Sequence, residues 1–408
     1  MNPTQWLDQY LIIRNKTQQI CSPLLTEDYV VQPRAEVSPP KWHLGHTTWF
    51  FETFLLKKFL KNYHLFNKNY PLIFNSYYKG AGPHWIQGHR GDLSRPTVAE
   101  VFIYRKFVDE NIQELLNKNI LDEWEKIHPL LEVGLHHEQQ HQELLLMDIK
   151  AILHQNPIDC SYQTNTQETL RNYQNCASEW IEISEGLFEC GHDSSSFCFD
   201  NEKPKHKVYL HDFALQSHLV TNSQFQQFIA DGGYKNPDLW FSKGWDWVQQ
   251  NQIHHPFYWK REEKDFLEYT LYGWEKLHPH RPVCNINFFE ANAFAKWSNC
   301  RLPTEFEWEV GSRDLTSQEN GNRLEPYGAN QLLHNLWCWT QSHYSAYPKY
   351  EAYPGTLGEY NGKFMCNQFV LRGGCFATPT NHFRITYRNF YEPHQSWMFS
   401  GIRLAKDL

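Results

Sequence analysis

The run Leu135-His136-His137-Glu138-Gln139-Gln140-His141-Gln142-Glu143 places two histidines, His137 and His141, four residues apart. On a helix, residues at that spacing project from one face, one turn above the other. Such a pair offers a metal two nitrogen donors from a single element. Well upstream stands Trp42-His43-Leu44-Gly45-His46, whose two histidines also share a helical face. Either one can complete a set of three neutral ligands that leaves the far side of a metal open, which is the arrangement of a reaction centre; a closed structural site fills that position with protein. His137-Glu138-Gln139-Gln140-His141 also has the HExxH spacing of zinc proteases, an alternative metal reading of the same pair. In a chain with 22 histidines an HxxxH pair also arises by chance, and the aromatic segment holding Trp49, Phe50, Phe51 and Phe54 could carry ordinary core histidines. The pairing of the two segments favours the metal.

Working outward, residues 5 to 155 read as helices. Gln5–Ile20 has helical periodicity, and Pro39-Pro40 opens a helix over Lys41–Leu60. Pro96–Asn117, entered by Arg95-Pro96-Thr97, carries Val98, Val101, Phe102, Tyr104 and Phe107 at helical spacing. Leu121–His154 is the helix bearing His137 and His141, with a break expected near Pro129. Four helices and one long loop (residues 61–95) make a bundle, a fold that builds metal sites from facing helices. The Asn-, Gln-, Thr- and Ser-rich stretch 157–177 reads as a linker. From Trp180 the pattern changes to short strands such as Trp180–Ile183 and Lys207–Leu210, frequent turns, and brief helices over Asn222–Asp231 and Asn287–Asn299. The expected organisation is multidomain: an all-α four-helix bundle (1–156), a linker (157–177) and a loop-rich mixed α/β domain (178–408).

Composition narrows the function. At 408 residues the chain has room for two cores, and its 16 Trp, 22 Tyr and 27 Phe suggest rigid, aromatic-lined pockets. A net charge of -8 without a basic run argues against nucleic acid as a partner. No stretch approaches the apolar length of a membrane span, and Met1–Trp6 lacks the order of a secretory leader, so neither a membrane segment nor a signal peptide is expected. Ten cysteines without a CxxC indicate neither a zinc ribbon nor a disulfide framework, and a cytoplasmic location fits best.

Several strings resemble known modules. The first half resembles a DinB-like four-helix bundle. The second resembles the formylglycine-generating-enzyme (sulfatase-modifying) fold, a relative of the C-type lectin fold. The second likeness rests on Phe199-Asp200-Asn201-Glu202-Lys203-Pro204, Val220-Thr221-Asn222, Asp231-Gly232-Gly233-Tyr234, Arg301 to Trp308, and Leu371-Arg372-Gly373-Gly374. The combination covers nearly the whole chain and is similar to the non-haem iron sulfoxide synthases of ergothioneine biosynthesis. The HHEQQHQE run, Tyr387-Arg388-Asn389-Phe390-Tyr391-Glu392-Pro393 and Phe399-Ser400-Gly401-Ile402-Arg403-Leu404 point to that group.

The resemblance implies that His46, rather than His43, joins His137 and His141 in binding iron(II). It implies a reaction in which a thiol is joined to the imidazole of hercynine, the trimethylated betaine of histidine, and the sulfur is oxidised to a sulfoxide with dioxygen as co-substrate. Three histidines leave three positions on an octahedral iron for imidazole, thiolate and dioxygen, and the thiolate would supply the negative charge that a carboxylate gives other non-haem oxygenases. In one branch of these synthases a tyrosine pair in an NSYY loop donates a proton near the iron; in another the tyrosine lies on the second domain. Asn75-Ser76-Tyr77-Tyr78 therefore makes Tyr77 and Tyr78 the candidates, against the plainer reading that loop tyrosines only pack a seam. Gln140, with Asn389, is expected to hold the amino-acid end of hercynine, and Phe390 suits a methylated ammonium. Glu143 is either a carboxylate orienting a ligand ring or a solvated helix charge.

The thiol follows from what is missing. Synthases that use γ-glutamylcysteine carry an Asp and an Arg where this chain has Tyr391 and Gln395, so the expected thiol is L-cysteine. Its carboxylate needs a cation, and Arg90 or Arg95 is available, Arg90 being preferred because Arg95-Pro96 reads as a helix entry. Residues 384–403 lack cysteine and Cys375 stands alone, so the second domain is expected to be a substrate-binding wall closing over the bundle and not a formylglycine-forming site. Competing readings are the same reaction with γ-glutamylcysteine, an ovothiol-type histidine–cysteine synthase, and a zinc-stabilised, lectin-like binding protein.

Overall fold

A computed structural model describes residues 2–118, 122–164, 173, 179–193, 196–313, 315 and 324–408. The chain divides into two compact units, Met1–Gln163 with Tyr353–Tyr360, and Thr164–Ala352 with Asn361–Leu408. The stretch expected to be a linker, 157–177, falls largely outside the described residues.

The first unit is a helical bundle. Helix α1 (Pro3–Cys21) starts where Asn2 accepts a hydrogen bond from the Gln5 amide and Gln5 returns one to Asn2, with Pro3 at the first helical position. Helix α2 (Pro40–Phe51) buries every residue, continues through a π-helical turn (Glu52–Leu56) and ends in the short α3 (Lys57–Phe59). The expected long loop holds α4 (Tyr70–Phe74) and 3-10 turns at Lys79–Ala81 and Gln87–Asp92. Helix α5 (Val98–Asn117) is capped by Thr97, whose hydroxyl takes the Glu100 amide.

Helix α6 (Trp124–His154) runs unbroken through Pro129, contrary to the expected break. The proline sits in the second turn, where it costs one backbone bond close to the helix start, while most of the helix beyond it is buried. Helix α6 packs on α1 and α2, and α5 packs on the same two. Gly134 lets α6 approach closely, since a Cβ there would stand 2.6 Å from Phe51 Cε1.

The bundle's interior is held by a buried charge cluster as well as by apolar packing. Glu138, between the two histidines of α6, pairs with Arg105 and with Arg14 (3.0 Å), and accepts from the Thr17 hydroxyl (2.7 Å). Burial alone would raise its pKa; the two guanidiniums win and push it down to about 2. One carboxylate thus ties α6 to α1 and α5 and fixes the rotation of the helix that carries His137 and His141.

The second unit is mixed. Strands β1 (Trp180–Ile183), β4 (Phe213–Gln216) and β12 (Ala405–Asp407) form one antiparallel sheet, with β4 central. Strands β2 (Gly186–Cys190) and β3 (His206–Leu210) pair as a hairpin-like ribbon, and β5 (Trp259–Glu262), β6 (Asp265–Thr270) and β7 (Gly273–Lys276) as a meander. A fourth sheet orders β10 (Asn389–Tyr391), β9 (Phe369–Arg372), β8 (Trp337–His343) and β11 (Ser400–Gly401). Helices α7 (Asn222–Ala230), α8 (Ser242–Asn251), α9 (Phe288–Trp297) and α10 (Glu305–Gly311) accompany the strands.

The strings that carry the family likeness here do structural work. Arg372 pairs with Glu309 (2.5 Å) and Arg388 with Glu305 (2.8 Å), all four buried, and the half-buried Arg384 pairs with the buried Glu202 (2.7 Å). Gly373 and Gly374 have φ of +107° and +69°, and a Cβ on Gly373 would meet Trp308 at 2.9 Å, so that turn needs glycine. The described cysteines are free, and Cys375 is buried within reach of the Thr378 hydroxyl.

Candidate metal centre

His46, His137 and His141 are brought together: one nitrogen of each lies within 4.8 Å of the others, and all three rings are buried. His46 faces the Phe74 carbonyl through Nδ1 at 2.6 Å, which leaves Nε2 for the centre. Gly45 makes this possible, because a Cβ there would overlap the Phe74 ring at 2.1 Å. His141 is held through Nδ1, 2.8 Å from His43 Nδ1, and likewise presents Nε2. His137 Nε2 stands 3.1 Å from His46 Nε2, and His137 Nδ1 is buried without a hydrogen-bond partner.

The donor set fits a first-row divalent ion. Two nitrogens each about 2.1 Å from one ion and at right angles to each other would be roughly 3.0 Å apart, close to the observed spacing. Burial, then the neighbouring histidines, holds His46 and His141 well below the usual imidazole range, and burial holds His137 at about 3. All three are therefore neutral at physiological pH, as ligands must be.

The sequence alone left His43 and His46 as alternatives, and the structure separates them. His43 stands behind His141, with its Nε2 2.9 Å from Asp148 Oδ2. The Trp42 ring stacks on His46 at 4.5 Å, and the Arg90 guanidinium lies over Trp42 at 3.3 Å. Arg90 is 6 % exposed and donates to the Ser38 hydroxyl (2.7 Å), but no carboxylate among the described residues lies within ion-pairing distance. Its Nε has no partner, and burial pushes its pKa down to about 9, still cationic at neutral pH. Arg95, by contrast, is exposed and donates to the Ser94 carbonyl.

The loop tyrosines pack against aromatic side chains of α2 and the π-helical turn that follows it. Tyr78 is fully buried, 5.7 Å from Trp49 and 5.6 Å from Phe54 between ring centroids, and Tyr77 stacks on Tyr78 at 4.7 Å. Burial, then Tyr77 and Tyr360, keeps the Tyr78 phenol far above its ordinary range and so protonated. Tyr360 was not singled out from the sequence. It belongs to the short Tyr353–Tyr360 segment that completes the first unit, and its ring lies 5.6 Å from His137 and 6.4 Å from Tyr78. Its hydroxyl donates to Gln140 Oε1. Glu359 fixes the segment by accepting the Lys79 (2.7 Å) and Gly80 (2.8 Å) amides just after the tyrosine pair. The only hint in the sequence was the Tyr, Gly and Glu content of that stretch.

Glu143 is buried, which removes the reading of it as a solvated charge. Asn389 and Phe390 belong to the second unit, on β10: Asn389 is buried and takes the Phe390 amide on Oδ1, and Phe390 stacks on Tyr344 at 4.1 Å.

Two family models match the chain. Residues 9–145 match the DinB superfamily, and residues 166–325 and 314–408 match the sulfatase-modifying factor enzyme 1-like domain, which together is more than half the chain. The chain belongs to the sulfatase-modifying factor enzyme 1-like family. This member of that family carries a DinB-type bundle ahead of the family domain. It is similar to the hercynine oxygenase of Mycobacterium tuberculosis, 32% identical over 242 residues, covering 51% of this chain and 56% of that one. The hercynine oxygenase of Mycolicibacterium smegmatis is also 32% identical, over 248 residues and the same shares. A formylglycine-generating enzyme of Thermomonospora curvata is 25% identical over 299 residues, covering 58% of this chain and 96% of that one. The chain spans about half the length of the hercynine oxygenases it matches. Among the described residues no helix is long and apolar enough to cross a membrane.

Proposed function

We propose that this protein is an iron(II)- and dioxygen-dependent oxygenase that joins L-cysteine to hercynine and delivers the sulfoxide. The balance is hercynine C–H plus cysteine S–H plus dioxygen, giving the carbon–sulfur bond, one oxygen on sulfur and one in water. The observation that carries the reading is the buried group of three neutral imidazoles, His46, His137 and His141, in a chain similar to hercynine oxygenases. Bound iron supplies the reduction of dioxygen and a place for the thiolate sulfur.

The chain's own residues do the rest. Their neutrality leaves the centre's charge to be set by the substrates. Arg90, a buried guanidinium with no carboxylate at ion-pairing distance among the described residues, binds the cysteine carboxylate through its two-pronged face. Tyr78, held protonated by burial, clusters with Tyr77 and with Tyr360, whose ring lies 5.6 Å from His137, and this group of hydroxyls can deliver a proton to the oxygen that leaves as water. Gln140, already holding the Tyr360 hydroxyl, orients that cluster and contributes to the hercynine side. Aromatic rings of Trp42, Trp49 and Phe50 around His46 and His137 keep bulk water out.

Metal analysis with oxygen uptake tests this. The expected result is iron at one per chain and dioxygen consumption only when hercynine and cysteine are both present, with the sulfoxide identified by mass spectrometry. Turnover with γ-glutamylcysteine alone would overturn the thiol assignment, and turnover with histidine in place of hercynine would overturn the betaine assignment. Zinc, with no turnover of any pair, would overturn the enzyme reading.

A further inference from the structure

The three ligand rings differ in what stands behind them. His46 has a backbone carbonyl, His137 has no partner for Nδ1 among the described residues, and His141 has a second imidazole and then a carboxylate. If His141 presents Nε2 to a metal, its Nδ1 must carry the proton, and it donates to His43 Nδ1 across 2.8 Å. His43 then carries its own proton on Nε2 and donates it to Asp148 across 2.9 Å. One arrangement of protons satisfies the whole chain, and every member is buried: His43 2 %, His141 8 % and Asp148 3 % exposed. Asp148 is fixed in turn by the Ser38 amide at 2.9 Å, on the same oxygen that takes His43.

We infer that Asp148 and His43 form a relay of positioning residues that delivers carboxylate charge to His141, and through it to a centre whose own ligands carry none. The inference rests on the reading of His46, His137 and His141 as a metal site. A carboxylate that accepts a ligand histidine's outer proton orients the ring and makes it a stronger donor, and loss of such a partner costs 10–100-fold in metal affinity in comparable sites. Here one imidazole is interposed. The carboxylate that a facial two-histidine, one-carboxylate site places on the metal is thereby moved two rings away, and the coordination face stays open.

Ser38 adds a link to substrate. Its amide holds Asp148 and its hydroxyl holds Arg90, so the residue that orients the relay also touches the unpaired guanidinium.

The test compares the full-length protein with Asp148→Asn, His43→Gln and the double variant. Ferrous affinity is measured by competition with a chromogenic chelator, the Co(II) visible spectrum is recorded, and the metal-free forms are melted to show that they fold. The relay predicts that either single change weakens ferrous binding by 10–100-fold and shifts the cobalt bands. It also predicts that the double variant binds ferrous ion no worse than His43→Gln, because Asp148 reaches His141 through His43. Additive losses would overturn the inference, as would wild-type affinity and spectra in folded Asp148→Asn. Should the wild-type protein itself bind no divalent metal, the underlying reading of the site fails, and that result is separate from failure of the relay.

Discussion

At the scale of single residues, the centre is defined by which polar groups lack an obvious partner. Arg90 is the clearest case. A buried guanidinium with no carboxylate at ion-pairing distance among the described residues is costly even with Asp148 acting on it from farther off, and an incoming carboxylate relieves it. Arg90→Met should raise the KM for cysteine by 10–100-fold, the worth of one charged hydrogen bond (about 1.5–3 kcal/mol), and leave the KM for hercynine near wild type. Steady-state kinetics with each substrate varied in turn check this; equal effects on both would remove Arg90 from the cysteine side. The tyrosines are read by product. Replacing the proton donor among Tyr77, Tyr78 and Tyr360 by Phe should lower sulfoxide formation by about 10²–10⁴-fold and divert thiol to cysteine sulfinate. Chromatography of the products from all three variants ranks them, and unchanged product ratios in all three would leave only a packing role.

At the scale of elements, α6 does two jobs on adjoining faces. His137 and His141 look one way, while Glu138 is tied to Arg14, Arg105 and Thr17. Glu138→Gln removes the charge that compensates two buried guanidiniums, and the expected cost is about 3–5 kcal/mol in denaturant unfolding. A loss below about 1 kcal/mol would show that the cluster does not anchor the helix. This pattern was partly legible in the sequence: the i, i+4 histidines and the proline-started α2 follow from periodicity. The continuity of α6 through Pro129 was not, because a propensity argument cannot weigh one lost backbone bond against the burial of the turns that follow. Nor could periodicity choose between His43 and His46, which share a face. Gly45, by admitting the Phe74 ring, and Phe74, by supplying its carbonyl, made that choice.

At the scale of the whole molecule, burial of neutral histidines links stability to pH. In the unfolded chain these groups take up protons near pH 6.5, whereas His137 in the folded protein holds out to about 3 and His46 and His141 lie well below the usual range. The unfolded chain then binds more protons, so stability of the metal-free protein falls as pH drops below about 6.5. Three such groups give a slope of up to ~4 kcal/mol per pH unit. Glu138, with its pKa pushed down to about 2, has the same sign and extends the loss below the ordinary carboxylate range. Denaturant midpoints of the metal-free protein between pH 7 and pH 4 check this, and a flat profile would contradict neutral burial.

By itself the sequence determined the elements and their chemistry: amphipathic helices, a histidine pair on one face, a second half of short strands, and a short roster of candidate donors. Those follow from local spacing, which no distant contact can alter. Tertiary structure alone decided which imidazole stands with His137 and His141, that Arg90 and not Arg95 is buried, that His43 backs His141 and leans on Asp148, and that Tyr360 joins the tyrosine pair. Each depends on groups far apart in the chain, and on whether water is excluded around them. Close packing of distant segments creates both conditions, and no local pattern encodes either.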